Sequence, residues 1–351
     1  MLLNLLRSRE INSVAIIGMA KNVGKTVTLN YLVSQATEQG LLLGLTSIGR
    51  DGEKRDEVFH TPKPRIFAPA GSLLATAQGT LKNSEIKIQI IKRTGFSTAM
   101  GEVIIGRACE SGYVELAGPT PIKHHRALRE HFLNFGVDLV VVDGALDRIS
   151  PATPSLAKAI ILATGAALGT NADMVMDKTR DRIERLTLPQ VDECYLQSCR
   201  LVMEQSKVTL LDDAGEVTVL PVAGSLIAGK IISQKITPRT RVVVMGGAVG
   251  NGVLEGLLAS KTLVSGISLV IPNGTCLFCD RIIWQKFLEA GGCIKVVEPI
   301  CLLAITLNPT SPTGAPFSSQ EFFQLGAKVL APYPVMDVAM GYHSIGCGSE
   351  S

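Results

Sequence analysis

Short apolar runs alternate with stretches of helical period along most of this chain. Val14–Ile17 is an unbroken β-type run, and from about Gly24 the apolar positions Leu29, Leu32, Val33 and Ala36 recur at spacings of three, four and seven. That predicts a buried strand followed by an amphipathic helix, with Gly40 as its stop. Residues 41–47 (LLLGLTS) read as a second strand, and 102–108 and 113–118 as later ones. A helix is expected over 122–135, with Leu128, Phe132 and Phe135 inward, and then VDLVVVDG (137–144), apolar enough to lie inside a sheet. AIILATGAALGT (159–170) reads as another buried strand and its loop.

Around 195–235 the pattern changes to strand-like runs on either side of the turn Asp212–Gly215. From Arg241 the alternation resumes, with strands at RVVVMGG, ISLVIP, IKVVEP and LLAITL and helices near 250–260, 279–290 and 318–328. Strands alternating with helices signal an α/β fold with a mainly parallel sheet. The expected division is a nucleotide-binding domain over 1–200, a β-rich connector over 201–235 and a smaller C-terminal α/β domain over 236–351.

Composition narrows the class. The chain has 351 residues, 46% hydrophobic and 19% charged, which suits a folded protein of two domains. The formal net charge of +3 gives no argument for nucleic acid or a membrane surface. The first residues, MLLNLLRSREINS, lack the basic start and small-residue cleavage site of a signal peptide, and no run is long enough for a membrane span. The 8 cysteines are scattered through both halves, so reduced thiols and a cytoplasmic location are expected.

The candidate chemistry sits where the first strand meets the first helix. Gly18-Met19-Ala20-Lys21-Asn22-Val23-Gly24-Lys25-Thr26 matches G-x-x-x-x-G-K-[ST] in full, between a strand and a helix as that phosphate cradle requires. Gly18 and Gly24 let the backbone approach phosphate oxygens. The loop N–H groups through Val27 and the helix N-terminus supply positive potential. Lys25 would neutralise β/γ-phosphate charge, and Thr26 Oγ would be a ligand for Mg²⁺, which prefers oxygen. The nearest trace of a guanine-reading [NT]-K-x-D motif is DKT at 177–179, without its Asp, so ATP is the expected nucleotide.

A metal needs a further carboxylate. Asp143 closes LVVVD at a strand end, the form of an acidic residue that holds Mg²⁺ through water. Asp-Gly is also a common turn pair. Asp147, four residues on, is a lesser candidate. Asp51, beside Arg50 and Glu53 in SIGRDGE, would either position water and complete the metal shell or stand in a solvated turn. Glu115, in YVELAGP, is costly on an apolar strand unless paired or near a metal.

Other signals point to structure first. Cys276-Leu277-Phe278-Cys279, with Cys293 and Cys301 downstream, fits a zinc ribbon poorly and reads as buried thiols. His124-His125, in KHHRALR, reads as part of a solvated basic helix face. GGAVGNG (246–252) has the wrong glycine spacing for a dinucleotide turn and reads as a strand-to-helix turn. KRTGFSTAMGEV (92–103) is either a mobile loop or a turn before a strand.

The loop and strand order resemble the branch of P-loop NTPases that includes dethiobiotin synthetase and the MinD-type ATPases. The signature lysine of the MinD type would fall on Ala20, whereas the lysine here is Lys21. Several phrases together, IGMAKNVGKTVTLNYL, LTSIGRDGE, VELAGP, VVDGALDR, ILATGAAL, LNPTSPTG and PYPVMDV, resemble the family of lysine 5,6-aminomutase reactivase small subunits across most of the chain. That resemblance implies an ATP-driven, chaperone-like factor that acts with a second reactivase subunit to release damaged cobalamin from an adenosylcobalamin-dependent aminomutase. The residues it carries across are Gly18, Lys21, Gly24, Lys25 and Thr26, with Asp51, Glu115 and Asp143 as metal or water-positioning groups. The alternative is an ATP-dependent small-molecule ligase or kinase of the dethiobiotin synthetase type.

Overall fold

The structure is a computed structural model that describes residues 1–48, 65–146, 156–203, 208–222, 225–260, 263–312 and 314–344. In chain order the first elements are α1 (Leu2–Ser8), β1 (Ser13–Gly18), α2 (Lys25–Glu38), β2 (Leu43–Ser47), β3 (Ile66–Ala68), β4 (Leu73–Ala77), β5 (Ile88–Thr98), β6 (Gly101–Ala108), β7 (Gly112–Val114), α3 (Ile122–Asn134), β8 (Leu139–Leu146), β9 (Ala159–Gly165) and α4 (Ala172–Leu186). Next come α5 (Glu193–Met203), β10 (Val208–Asp212), β11 (Val217–Val219), α6 (Ser225–Lys235), β12 (Thr240–Met245), α7 (Asn251–Ala259), β13 (Ser268–Ile271), α8 (Arg281–Glu289) and β14 (Cys293–Val296). The chain finishes with β15 (Leu302–Asn308), α9 (Ser319–Val329), β16 (Val335–Asp337) and β17 (Tyr342–His343).

The chain divides into two compact units, one of residues 1–180 with 301–351 and the other of 181–300. The first holds a ten-stranded sheet in the order β17-β16-β15-β9-β1-β8-β2-β4-β6-β5. Its run from β16 to β4 is parallel throughout, while β17, β6 and β5 are antiparallel additions at the edges. All six residues of β1 are buried, as befits a strand with neighbours on both sides and layers on both faces. The expected helix face is the observed one: Leu29, Leu32, Val33 and Ala36 are buried. Leu2, Leu3 and Leu6 of α1 join the same apolar cluster as α2 and β1, and burying each such leucine contributes roughly 1.5–3 kcal/mol.

The second unit has its own sheet, β11-β10-β12-β13-β14, with β12, β13 and β14 parallel. One apolar cluster joins Leu210, Val243, Leu269 and Ile294 of the sheet to Val253, Leu254 and Leu257 of α7 and Trp284 and Phe287 of α8. A second joins Leu211, Val242, Val244 and Val270 to Leu196, Cys199 and Val202 of α5. Alternate strand residues thus serve separate clusters, so the sheet carries side chains in both.

Several expectations need correcting. The 201–235 segment is not a connector: β10 pairs antiparallel with β12 and is built into the second sheet. Residues 301–351 are not part of a C-terminal domain starting at 236, because β15 pairs parallel with β9 in the first sheet, and Leu303, Ala304 and Met336 lie in the first unit's core. The 113–118 strand stops at Val114, and side chains take up several of the groups after it: Ser47 Oγ donates to Leu116 O (2.9 Å) and Gly118 N donates to Ser47 Oγ (3.2 Å), while Ala117 O accepts from Ala77 N (2.8 Å). Phe135 is 37% exposed because α3 ends one residue earlier. Residues 92–103 are neither loop nor simple turn; they fall in the β5–β6 hairpin.

Candidate functional site

The carboxyl ends of β1, β8 and β9 meet at the Gly18–Thr26 loop. In the sheet β1 lies between β8 and β9, with Ile16 level with Asp143 and Gly18 level with Ala163. The loop leaves the strand as the Met19 N–H bonds to Ala163 O (3.0 Å) and enters α2 through Gly24, whose φ is +86°. Asn22 also has a positive φ, +62°. A left-handed residue immediately before a helix is tolerable for glycine and costly for most others. Thr28 N–H bonds to Gly24 O (2.9 Å). Among the described residues, the N–H groups of Lys25, Thr26 and Val27 have no backbone acceptor, as expected for the first turn of a helix.

The side chains of this loop divide by exposure. Met19 and Val23 are buried and anchor it, whereas Lys21, Asn22 and Val27 are exposed and Ala20 and Thr26 half-buried. Lys25 folds back toward β8. Its ammonium lies 2.8 Å from Asp143 Oδ1, with 16% of the lysine and 10% of the aspartate side chain exposed. It also donates to Gly144 O. The approach to Asp143 is a charge contact without hydrogen-bond alignment, so that oxygen keeps its hydrogen-bonding capacity. Thr26 Oγ makes no protein hydrogen bond among the described residues. Lys25 of the loop is therefore in contact with Asp143 of β8, and Thr26 follows Lys25 in the first turn of α2.

Glu115 lies just after β7. Its Oε2 accepts from Asn83 Nδ2 (2.7 Å), and its own carbonyl accepts from Thr76 Oγ1 of β4 (3.4 Å). That places it at the β4 side of the sheet, beyond β2 and β8 from the loop. Asp51, with Arg50 and Glu53, and Asp147 lie outside the described residues. A hollow of about 270 Å³, lined among others by Thr37, Gly40, Pro69 and Ser72, sits where β2 and β4 begin, and none of its lining residues is ionisable.

One contributor was missed by sequence reasoning. Asn308, at the end of β15, donates from Nδ2 to Asn22 O (2.8 Å). Thr306, two residues earlier, shares a buried hydroxyl bond with Thr28 of α2 (2.8 Å). The only hint in the sequence was an Asn-Pro pair closing an apolar run.

The discounted signals also have their places. Cys279 is buried, burial raises the thiol pKa values of Cys276 and Cys279, and no group of three metal-ligating side chains occurs among the described residues. His125 is not on a solvated face. It is 2% exposed, and its Nε2–H donates to Pro119 O (2.6 Å). Burial holds it neutral, with its pKa lowered from 6.5 to about 4. His124 stacks on Phe96 with ring centroids 4.2 Å apart. GGAVGNG spans the turn from β12 into α7, as expected. No helix among the described residues is long and apolar enough to cross a membrane. Comparison with protein-family models, curated proteins and solved structures finds no match for this chain.

Proposed function

We propose that this chain is a P-loop NTPase that binds and hydrolyses Mg-ATP at residues 18–27, and that it spends the hydrolysis on a protein partner. The observation that carries the reading is the Lys25–Asp143 contact, 2.8 Å long, at the foot of a glycine-entered helix whose first N–H groups have no backbone acceptor among the described residues. The loop N–H groups and the helix dipole suit a polyphosphate. Lys25 would turn from Asp143 to the β/γ-phosphates. Thr26 Oγ and the freed Asp143 carboxylate are a hard oxygen set that fits Mg²⁺. Bound Mg²⁺ would offset phosphate charge during transfer.

The partner follows from the resemblance to aminomutase reactivases. It would be an adenosylcobalamin-dependent aminomutase, approached together with a second reactivase subunit. The test is ATP-dependent recovery of an inactivated lysine aminomutase. Recovery should require this chain and vanish with Lys25→Ala. Normal recovery by that variant would contradict the ATP mechanism.

A further inference from the structure

We infer that Asn308 is a positioning residue for the phosphate loop, acting through the carbonyl of Asn22. This rests on the nucleotide reading of that loop. The amide of Asn308 has its orientation fixed from one side. Its Oδ1 accepts from Thr310 N (3.2 Å) and from Thr310 Oγ1 (2.7 Å). That leaves Nδ2 as the group facing Asn22 O, at 2.8 Å.

The contact reaches across the sheet. Asn308 closes β15, while Asn22 lies in the loop after β1, and β9 stands between those two strands. Two glycines make room for it. A Cβ on Gly24, already at φ +86°, would lie 3.2 Å from Asn308 Cβ, and a Cβ on Gly165 would lie 2.3 Å from Asn308 O. A side chain at Gly165 would force the backbone to shift, and one at Gly24 would strain its left-handed backbone and press Asn308 by a few tenths of an ångström.

The consequence is electrostatic. Asn22 sits at φ +62°, a conformation an L-residue adopts at some cost. Turning the peptide that carries its carbonyl would bring an oxygen dipole toward the place where the N–H groups gather, and a carbonyl there repels an anion. A donor on β15 bonded to that oxygen holds the peptide with its carbonyl away. Asn308 thus acts before nucleotide arrives, by keeping the cradle in its anion-accepting form.

The test uses the full chain with Asn308→Ala and, as a milder change, Thr310→Val, which removes one of the two donors orienting the amide. Mg-ATP is titrated calorimetrically, and hydrolysis is followed in parallel. For Asn308→Ala the expected result is a Kd raised about tenfold, the scale of one lost hydrogen bond, at unchanged stoichiometry. KM should rise by a similar factor with kcat within about twofold, the mark of a lost ground-state contact. Thr310→Val should shift Kd in the same direction by a smaller factor, and it carries the test if the alanine variant does not fold. A Kd within twofold of wild type for the folded alanine variant overturns the inference, as does reduced stoichiometry at unchanged Kd, which reports misfolded protein only. If Asn308→Ala does not fold, a wild-type Kd for Thr310→Val overturns it. Wild-type protein that binds no Mg-ATP would instead remove the nucleotide reading itself.

Discussion

Replacing Asp143 with Asn separates the two tasks assigned to it, holding Lys25 in the empty protein and holding metal in the loaded one. The contact is 2.8 Å long, and its side chains are 16% and 10% exposed. Removing one partner of a fully buried pair costs roughly 3–5 kcal/mol, because the other charge is stranded. Here Lys25 keeps the Gly144 carbonyl and some access to water. A loss of about 1–2 kcal/mol is therefore expected, a fall in Tm of roughly 2–8 °C at the usual sensitivity of a domain this size. Binding should change with opposite signs in two buffers. Without Mg²⁺, a triphosphate competes with Asp143 for Lys25, so the variant should bind ATP in EDTA more tightly, by roughly 5–30-fold. With Mg²⁺ the variant lacks the metal's carboxylate and should bind more weakly than wild type. Calorimetric titration of ATP in both buffers gives the ratio of the two constants, which should collapse in Asp143→Asn. Equal weakening in both buffers would refute the competition, because the carboxylate would then serve only the fold.

Other changes read other parts of the account. Gly24→Ala puts a side chain at φ +86° and against Asn308, and should weaken Mg-ATP binding at least tenfold while circular dichroism stays native. Phe132, fully buried in α3 with its ring 2.9 Å from where a Gly44 Cβ would stand, should cost about 3–5 kcal/mol when cut to Ala, read by denaturant unfolding. His125 has a folded pKa of about 4 against an ordinary 6.5. The unfolded chain therefore binds the extra proton between those values, and stability is full above pH 6.5 and lost as pH falls toward 4, by about 3 kcal/mol in all. His125→Gln should flatten the Tm profile over that window, and an unchanged slope would contradict it. In the second unit, a Cβ on Gly256 of α7 would lie 2.2 Å from the Gly229 backbone of α6, so Gly256→Ala should destabilise that unit by about 1–3 kcal/mol in a calorimetric scan.

Local features were legible from the chain because local physics sets them. The α2 face showed as a period of 3.6, Gly24 and Gly40 marked positions that take φ +86° and +69°, and the loop motif marked the turn between β1 and α2. Pairing partners were not legible. LLAITL carries the same apolar run whichever sheet receives it, and only the register of β15 against β9 shows that residues after 300 return to the first unit. The strand after Gly112 was overread because Ser47 and Thr76, distant in sequence, take up the hydrogen bonds of Leu116, Ala117 and Gly118. His125 was misplaced because a basic flank says nothing of what covers one face of α3. Asn308 escaped notice because an Asn before a Pro at a strand end is ordinary turn chemistry until the loop it bonds is brought beside it.

The central claim is that the turn after β1 grips a triphosphate through Lys25 and through N–H groups that have no backbone acceptor among the described residues. Calorimetric titration of Mg-ATP into the wild-type chain and into Lys25→Ala measures it directly. The account predicts one site per chain in the wild type and a loss of at least a hundredfold in affinity in the variant, the scale of a charged phosphate contact. Heat of binding that is absent from the wild type, or the same in both proteins, would contradict it.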